Sequence, residues 1–94
     1  MKVVFSREAS IDAALMNREG IRLFGVQQAK AYQAGFREAL RLIEAFPEAS
    51  PIRIYDDTPV RVRTYGSHMI IYAIRQEVIE ILRIRHGRED WQDE

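Results

Sequence analysis

The feature of this sequence that most constrains its fold is a succession of three strand-like runs in the C-terminal third. The runs are VRVRTY (60–65), HMIIYAI (68–74) and VIEILRIR (78–85), and only Gly66-Ser67 and Gln76-Glu77 fall between them. β-Branched and aromatic residues are frequent in these runs, and such short connections join antiparallel neighbours. The sequence therefore predicts an antiparallel β-meander.

Two helical segments precede the meander. A short strand is predicted for KVVF (2–5), and Ser6 is a suitable N-cap for a helix over residues 7 to about 24. A second helix is indicated by apolar residues at helical spacing, namely Ala29, Tyr32, Phe36, Ala39, Leu40 and Ile43. Because only a short corner at Gly25 joins the helices, they are expected to form an antiparallel hairpin. Residues 47–59 contain all three prolines and are predicted to be a loop.

These elements predict an α+β fold in one domain spanning residues 1–94: a short N-terminal strand and an antiparallel helix hairpin packed on an antiparallel β-meander. A chain of 94 residues, of which 47% are hydrophobic, can bury one core. The absence of cysteine excludes a disulfide scaffold and a thiolate metal site. No signal peptide or membrane-length apolar run is evident, so a cytoplasmic location without a membrane partner is expected.

Sequence motifs for cofactors are also missing. The two histidines, His68 and His86, lie outside any H-E-x-x-H arrangement, and the chain has no glycine-rich phosphate loop. No metal or other cofactor is therefore expected, and His68, beside a turn, is interpreted as structural. The 14 basic and 14 acidic residues cancel, so contact with nucleic acid would depend on a local patch.

Strand parity predicts which side chains point away from the helices. A two-residue turn at Gln76-Glu77 pairs Ile74 with Ile79, and Glu80 then lies on the opposite face. Burying an unpaired carboxylate is costly, so the face of Glu80 is predicted to be free of helices. The functionally interesting side chains assigned to this helix-free face are Arg61, Arg63, Met69, Ile71, Leu82, Ile84 and His86.

Arg61 and Arg63 reach this face only if the turn around Gly66 has an odd number of residues, with Gly66 in a bulge. The apolar residues on this face then form a patch, and both arginines and His86 lie around it. The patch consists of Met69, Ile71, Leu82 and Ile84. Exposed apolar surface with a polar rim commonly marks a binding site. In the alternative, a C-terminal tail containing Trp91 folds back and covers the patch.

Three segments resemble the ParE/RelE superfamily of toxins from bacterial type II toxin–antitoxin pairs. ALRLIEAFPEASP (39–51) is similar to the end of the second helix and the Phe-Pro loop of that family, and GSHMIIYAI (66–74) is similar to its central strand. VIEILRIRHGRED (78–90) is similar to the last strand and its His-Gly-Arg ending, which is the most specific match. The first helix, with MNREG, matches poorly.

The resemblance implies a RelE/ParE-like fold and a small cytoplasmic protein that arrests growth unless a cognate antitoxin, ParD-like or other, holds it inactive. ParE-type members poison DNA gyrase, whereas RelE-type members enter the ribosomal A site and cleave mRNA. The His-Gly-Arg ending is closer to ParE-type chains, so gyrase is the expected target and no enzymatic activity is expected. The residues expected to contact partners are Arg61, Arg63, Met69, Ile71, Leu82, Ile84, His86 and Trp91.

The alternative is a ribosome-dependent mRNA endonuclease. Attack by the RNA 2′-hydroxyl requires a base, a proton donor and cations that bind the phosphate. By resemblance, these groups would be Arg61, Arg63, His86 and Arg88. Met69, however, stands where the RNA-cleaving members carry an arginine, so this position favours the gyrase-directed class.

Overall fold

The computed structural model describes residues 1–87 and consists of two helices packed on one face of a five-stranded sheet. The elements are β1 (Lys2–Phe5), α1 (Arg7–Phe24), α2 (Val26–Ala45), β2 (Ile52–Tyr55), β3 (Thr58–Tyr65), β4 (His68–Arg75) and β5 (Val78–His86). The strand order is β1-β5-β4-β3-β2, in which β1 is parallel to β5 and the other neighbours are antiparallel. The predicted α+β class, the helix hairpin and the meander are confirmed.

The helix hairpin is fixed to the sheet at its first residue. The Ser6 hydroxyl accepts a hydrogen bond from the Ala9 amide at 3.0 Å and donates one to the Leu82 carbonyl at 2.9 Å, so the N-cap of α1 is also bonded to β5. Gly25 separates the helices with φ of 87°, a value that favours glycine. The buried side chains that the helices contribute to the core are Ala9, Met16, Phe36, Ala39 and Ile43. Neither helix is long and apolar enough to cross a membrane, among the residues described.

The prediction that residues 47–59 form only a loop is wrong, because they contain β2 and the start of β3. The loop was predicted because all three prolines of the chain lie in this segment, and proline is unfavourable within a strand. Pro59 is accepted because β3 begins its ladder with β4 only at Arg61, so the missing amide leaves no gap there. Asp56 and Asp57 connect β2 to β3 with φ of 53° and 62°, the pair of positive values that a type I′ turn requires.

The turn between β3 and β4 has two residues rather than an odd number. Tyr65 pairs with His68, so Arg61 opposes Tyr72 and Arg63 opposes Ile70. Directly opposed residues share a face of the sheet, and Ile70 and Tyr72 belong to the core beneath the helices. The prediction that Arg61 and Arg63 lie on the helix-free face is therefore wrong.

A β-bulge in β5 reverses the parity of the last strand. Ile81 opposes Tyr72, as the two-residue turn at Gln76-Glu77 requires, but Arg83 rather than Leu82 opposes Ile71. One extra residue moves every later side chain to the other face. Ile84, which is 5% exposed, and His86 thus lie on the helix-facing side, and their predicted placement on the helix-free face is wrong.

The helix-free face is not an exposed apolar patch. Ile71 has no exposed surface, and Met69 and Leu82 are half-buried. Arg85 reaches from β5 past the two central strands, where its Nη1 donates to the Tyr55 hydroxyl on β2 at 2.9 Å. Trp91, and with it the alternative of a covering tail, lies outside the described residues, as does Arg88.

Glu80 does lie on the helix-free face, as its charge predicts. It opposes Ala73, which points to the other face from its neighbour Tyr72, a core residue beneath the helices. Its carboxylate accepts a hydrogen bond from Arg75 Nη1 at 2.6 Å. The acidic side chain is thus placed on the side where it can be both hydrated and paired.

Candidate functional site

A cleft of about 310 Å³ opens between the tip of the helix hairpin and the end of the β4–β5 ladder. Met16, Leu23, Phe24, Ala29 and Tyr32 line it from the helices, and Ser67, His68 and His86 line it from the sheet. Concave sites with apolar walls and a few polar groups are typical ligand and partner sites. The sheet-side wall of this cleft is built from the turn after β3, the first residue of β4 and the last residue of β5.

Exposed apolar side chains surround the mouth of the cleft. Around the corner between the helices, Ile21, Leu23, Phe24 and Val26 are 40%, 54%, 61% and 53% exposed. At the same end Arg22 forms an ion pair with Glu19, so the apolar surface has a charged rim. The exposed apolar cluster therefore lies at the tip of the helix hairpin, whereas the sequence analysis predicted it on the sheet.

Tyr32 is the polar centre of the cleft. Its hydroxyl lies 2.8 Å from His68 Nδ1, 3.1 Å from the Ser67 amide nitrogen and 3.2 Å from the Tyr65 carbonyl oxygen. The Ser67 amide donates to the hydroxyl. The single proton of the hydroxyl goes to the Tyr65 carbonyl or to His68 Nδ1, according to the tautomer of the imidazole.

Tyr65 returns the contact. Its hydroxyl donates to the Tyr32 carbonyl at 3.0 Å, and the two rings lie with centroids 4.8 Å apart. Burial, and then the neighbouring Tyr32, raises the pKa of Tyr65 above its usual value, which keeps the phenol protonated as a donor. The pair fastens α2 to the β3–β4 turn and so fixes the floor of the cleft.

Two glycines make room for this pair. A Cβ atom at Gly35 would overlap the Tyr65 hydroxyl, and one at Gly66 would lie 2.5 Å from the Tyr32 hydroxyl. Gly66 also has φ of 55°, as the first residue of the turn. Close packing, as well as backbone conformation, therefore requires glycine here.

His68 and His86 stand opposite each other on the last pair of the β4–β5 ladder. Their ring centroids are 5.4 Å apart, with an angle of 69° between the ring planes. The bulge in β5 is what turns His86 towards His68 and the cleft. Both rings belong to the sheet side of the cleft wall.

Of the predicted partner-binding residues that lie within residues 1–87, only His86 lines this cleft. Arg61 donates to the Ser50 carbonyl at 2.6 Å and the Glu48 carbonyl at 3.3 Å, so it holds the segment after α2. The Nε atom of Arg63 is buried, without a hydrogen-bond partner in residues 1–87. Met69 and Ile71 belong to the other face. Of the described residues of the nuclease set, His86 lines this cleft, whereas Arg61 and Arg63 do not. The set is therefore not assembled at one site.

Sequence reasoning missed Tyr32, Phe24 and His68 as members of the site. Tyr32 was read as one position of an apolar stripe, and the pattern contains nothing to show that its hydroxyl meets His68. The two-residue turn at Gly66-Ser67 was the available signal, because it pairs Tyr65 with His68 and places both on the helix side.

The helix hairpin packed on a largely antiparallel sheet is the fold that the sequence resemblance implies. A family model described as "ParE toxin of type II toxin-antitoxin system, parDE" matches residues 3–91. The chain belongs to this family and is a ParE-type toxin of a type II toxin–antitoxin system.

A solved structure, described as "Chromosomal ParDE TA system from P. aeruginosa", matches the fold with a TM-score of 0.78. The match covers 92% of this chain and 95% of that chain, at 19% sequence identity. No curated protein matches the chain in sequence. The structural match thus shows a shared fold, while membership of the family rests on the family model.

Proposed function

We propose that this ParE-type toxin acts in the cytoplasm on DNA gyrase and is neutralised by a cognate antitoxin, ParD-like or other. The observation that carries the proposal is the family match over residues 3–91, which includes the His-Gly-Arg ending. The related fold of the P. aeruginosa ParDE system supports an antitoxin as the partner. Growth arrest is then relieved by formation of the toxin–antitoxin complex.

The hairpin tip and the adjoining cleft are the surface that we assign to the antitoxin. Leu23 and Phe24 are more than half exposed and lie at the rim of a concave apolar site. Burying an exposed side chain of this size contributes about 1.5–3 kcal/mol. A short antitoxin segment with large apolar side chains would therefore gain most of its affinity here.

A purified-protein assay of gyrase tests the target. DNA supercoiling and DNA cleavage are measured with excess toxin, with and without its antitoxin. The expected result is lost supercoiling with trapped cleaved DNA, and recovery when antitoxin is added in stoichiometric amounts. Intact gyrase activity at high excess of toxin would overturn the proposal. Codon-positioned cleavage of translated mRNA in a parallel translation assay would move the target to the ribosome.

A further inference from the structure

The centre of the helix-free face is buried, although both helices lie on the other side of the sheet. Val60, Ile71 and Ala73 are 2%, 0% and 7% exposed. They alternate along their strands with Arg61 and Tyr72, which point towards the helices. Side chains stand roughly perpendicular to a sheet, so their tips remain open to water unless a further layer covers them. The centre of this face therefore has a cover.

Residues 1–87 supply only part of that cover. Arg85 crosses the face to the Tyr55 hydroxyl, but an arginine side chain covers a narrow strip, whereas the buried positions lie on two strands. Both helices of residues 1–87 are on the opposite face, and all five strands belong to the one sheet. The rest of the cover must come from the chain beyond Gly87 or from another molecule.

The chain leaves the sheet within reach of the buried centre. The Gly87 amide donates to the Ser67 carbonyl at 2.7 Å, and Gly87 lies in a turn, so the strand ends there. Ile71 is four residues beyond Ser67 along β4, a distance of about 13 Å at 3.3 Å per residue. Trp91 is likewise four residues beyond Gly87, and four extended residues span the same distance. A segment that turns back at Gly87 can thus bring an indole ring over Ile71.

The composition of residues 88–94 matches the helix-free face. Their sequence, REDWQDE, contains four acidic residues, one arginine and the only tryptophan of the chain. The charged side chains that the strand registers place on this face include Arg53, Arg75, Glu80 and Arg85. A large aromatic ring suits the apolar centre of the face, and an acidic segment suits its mainly basic surroundings.

We propose that the helix-free face is the docking surface of residues 88–94, with the Trp91 indole on Ile71 and Val62. Val62 directly opposes Ile71 and is half-buried, so the two side chains form an apolar floor for one ring. The acidic residues on either side of the ring then face the arginines of the sheet. Docking of this segment closes the helix-free face to other partners. The inference does not depend on the proposed action on gyrase.

The fluorescence of the full chain tests the docking, because Trp91 is its only tryptophan. Emission at a shorter wavelength than that of tryptophan in water is expected, with several-fold weaker quenching by acrylamide, and both should be independent of protein concentration. Emission and quenching like those of free tryptophan would overturn the proposal. A blue shift that appears only at high protein concentration would also overturn it, because the occupant would then be a second copy of the chain.

A pair of variants locates the contact on the sheet. Val62→Asp places a carboxylate beneath the ring, so it should move the emission to longer wavelength and remove most of the protection from acrylamide. Ile52→Asp is the control, since Ile52 is exposed and opposes Arg61 on the helix-facing side. It should change neither property. Circular dichroism verifies the fold of both variants, and equal effects of the two substitutions would contradict the proposed contact.

Nuclear Overhauser effects in the wild type keep the test decisive if Val62→Asp folds poorly. The indole protons of Trp91 should show these effects to the methyl groups of Val62 and Ile71. Effects to Met16 or Leu23 instead would place the ring in the cleft and overturn the proposal. Effects that arise only between differently labelled copies of the chain would overturn it as well.

Discussion

At the residue scale, the architecture depends on close contacts that tolerate little change. Tyr32 and Tyr65 exchange hydrogen bonds between hydroxyl and backbone, and two glycines leave the space that their rings occupy. Gly35 lies in the middle of α2, where glycine has a lower helix propensity than alanine. Its presence there is explained by the Tyr65 side chain that packs against it.

Substitution of Gly35 tests this contact. Gly35→Ala should lower the free energy of unfolding by about 1–3 kcal/mol, because overpacking outweighs the gain in helix propensity. Gly20→Ala is the matched control: Gly20 is also within a helix, and its added Cβ would lie at an ordinary 3.7 Å from the Ala29 side chain. The control should be neutral or stabilising by up to about 1 kcal/mol. Urea unfolding measures both, and equal effects in the two variants would contradict this account.

Asp12 joins α1 to β5 just past the bulge. Its carboxylate accepts from Arg83 Nε at 2.8 Å and from the Ile84 amide at 2.9 Å. Burial alone would raise the pKa of Asp12, but these hydrogen bonds and the charge of Arg83 hold it below its usual value. The pairing of β1 with β5 ends at Ile81, so β1 offers no partner to the Ile84 amide. The Asp12 carboxylate supplies that partner.

A pH dependence follows from the lowered pKa of Asp12. The stabilisation is complete above the unfolded-state pKa of about 3.9 and is lost as the pH falls through the lower pKa of the folded state. Asp12→Asn should therefore be less stable than the wild type by about 1–2 kcal/mol at pH 7. The difference should shrink as the pH falls below about 4. Urea unfolding across this range checks it, and a constant difference would argue against the ionised carboxylate.

At the element scale, turn length and one bulge decide what each strand presents. The two-residue turn after β3 places Arg61 and Arg63 beneath the helices, and the bulge in β5 returns Ile84 to the core and His86 to the cleft. β2 extends the sheet by a fourth antiparallel strand, although Pro51 directly precedes it and Pro59 lies opposite it in β3. Its connection to β3 uses two aspartates at positive φ, which is a less favourable choice than glycine.

Relief of this strain should stabilise the hairpin of β2 and β3. Asp57→Gly gives the turn the Asp-Gly pair that type I′ geometry prefers, and a gain of up to about 1 kcal/mol is expected. For a domain of this size that corresponds to an increase in Tm of up to about 4–8 °C. Asp57→Ala, which keeps a Cβ atom at positive φ, should not stabilise. Differential scanning calorimetry compares the two, and equal Tm values would exclude the conformational explanation.

At the scale of the whole molecule, the two ends of the hairpin differ in what adjoins them. The tip, with Phe24, borders the cleft that His68 and His86 line. The other end, with Phe46, adjoins the segment that the hydrogen bonds of Arg61 and Tyr72 hold to the sheet. Both phenylalanines are exposed to a similar extent, at 61% and 64%. They therefore provide a matched pair for locating the antitoxin surface.

If the antitoxin binds at the hairpin tip, Phe24→Asp should weaken the complex by about 2 kcal/mol or more, as expected for a central anchor. Phe46→Asp should change the affinity little. Calorimetry with purified antitoxin gives both values, and circular dichroism verifies the fold of each variant. Unchanged affinity in Phe24→Asp, or a larger effect at Phe46, would exclude the tip as the main contact.

Much of the fold could be predicted because its signals are local. The Ser6 cap, the apolar stripe of α2 and the runs of β-branched residues act within a few neighbours, and the observed β1, α1 and β4 begin where these signals predict. The segments 39–51, 66–74 and 78–90 also indicated the family that the family model confirms. Sequence by itself thus determined the class of fold and the family.

The arrangement of the candidate site was decided only by the tertiary structure. Alternation along a strand reverses with a single added residue, so the unrecognised bulge at Leu82 misplaced Ile84 and His86, and the wrong turn length misplaced Arg61 and Arg63. Contacts such as Tyr32 with His68 join residues 36 positions apart. Such contacts form because α2 packs on the sheet more favourably in this arrangement than in others. Short sequence patterns do not reveal which packing arrangement has the lowest free energy.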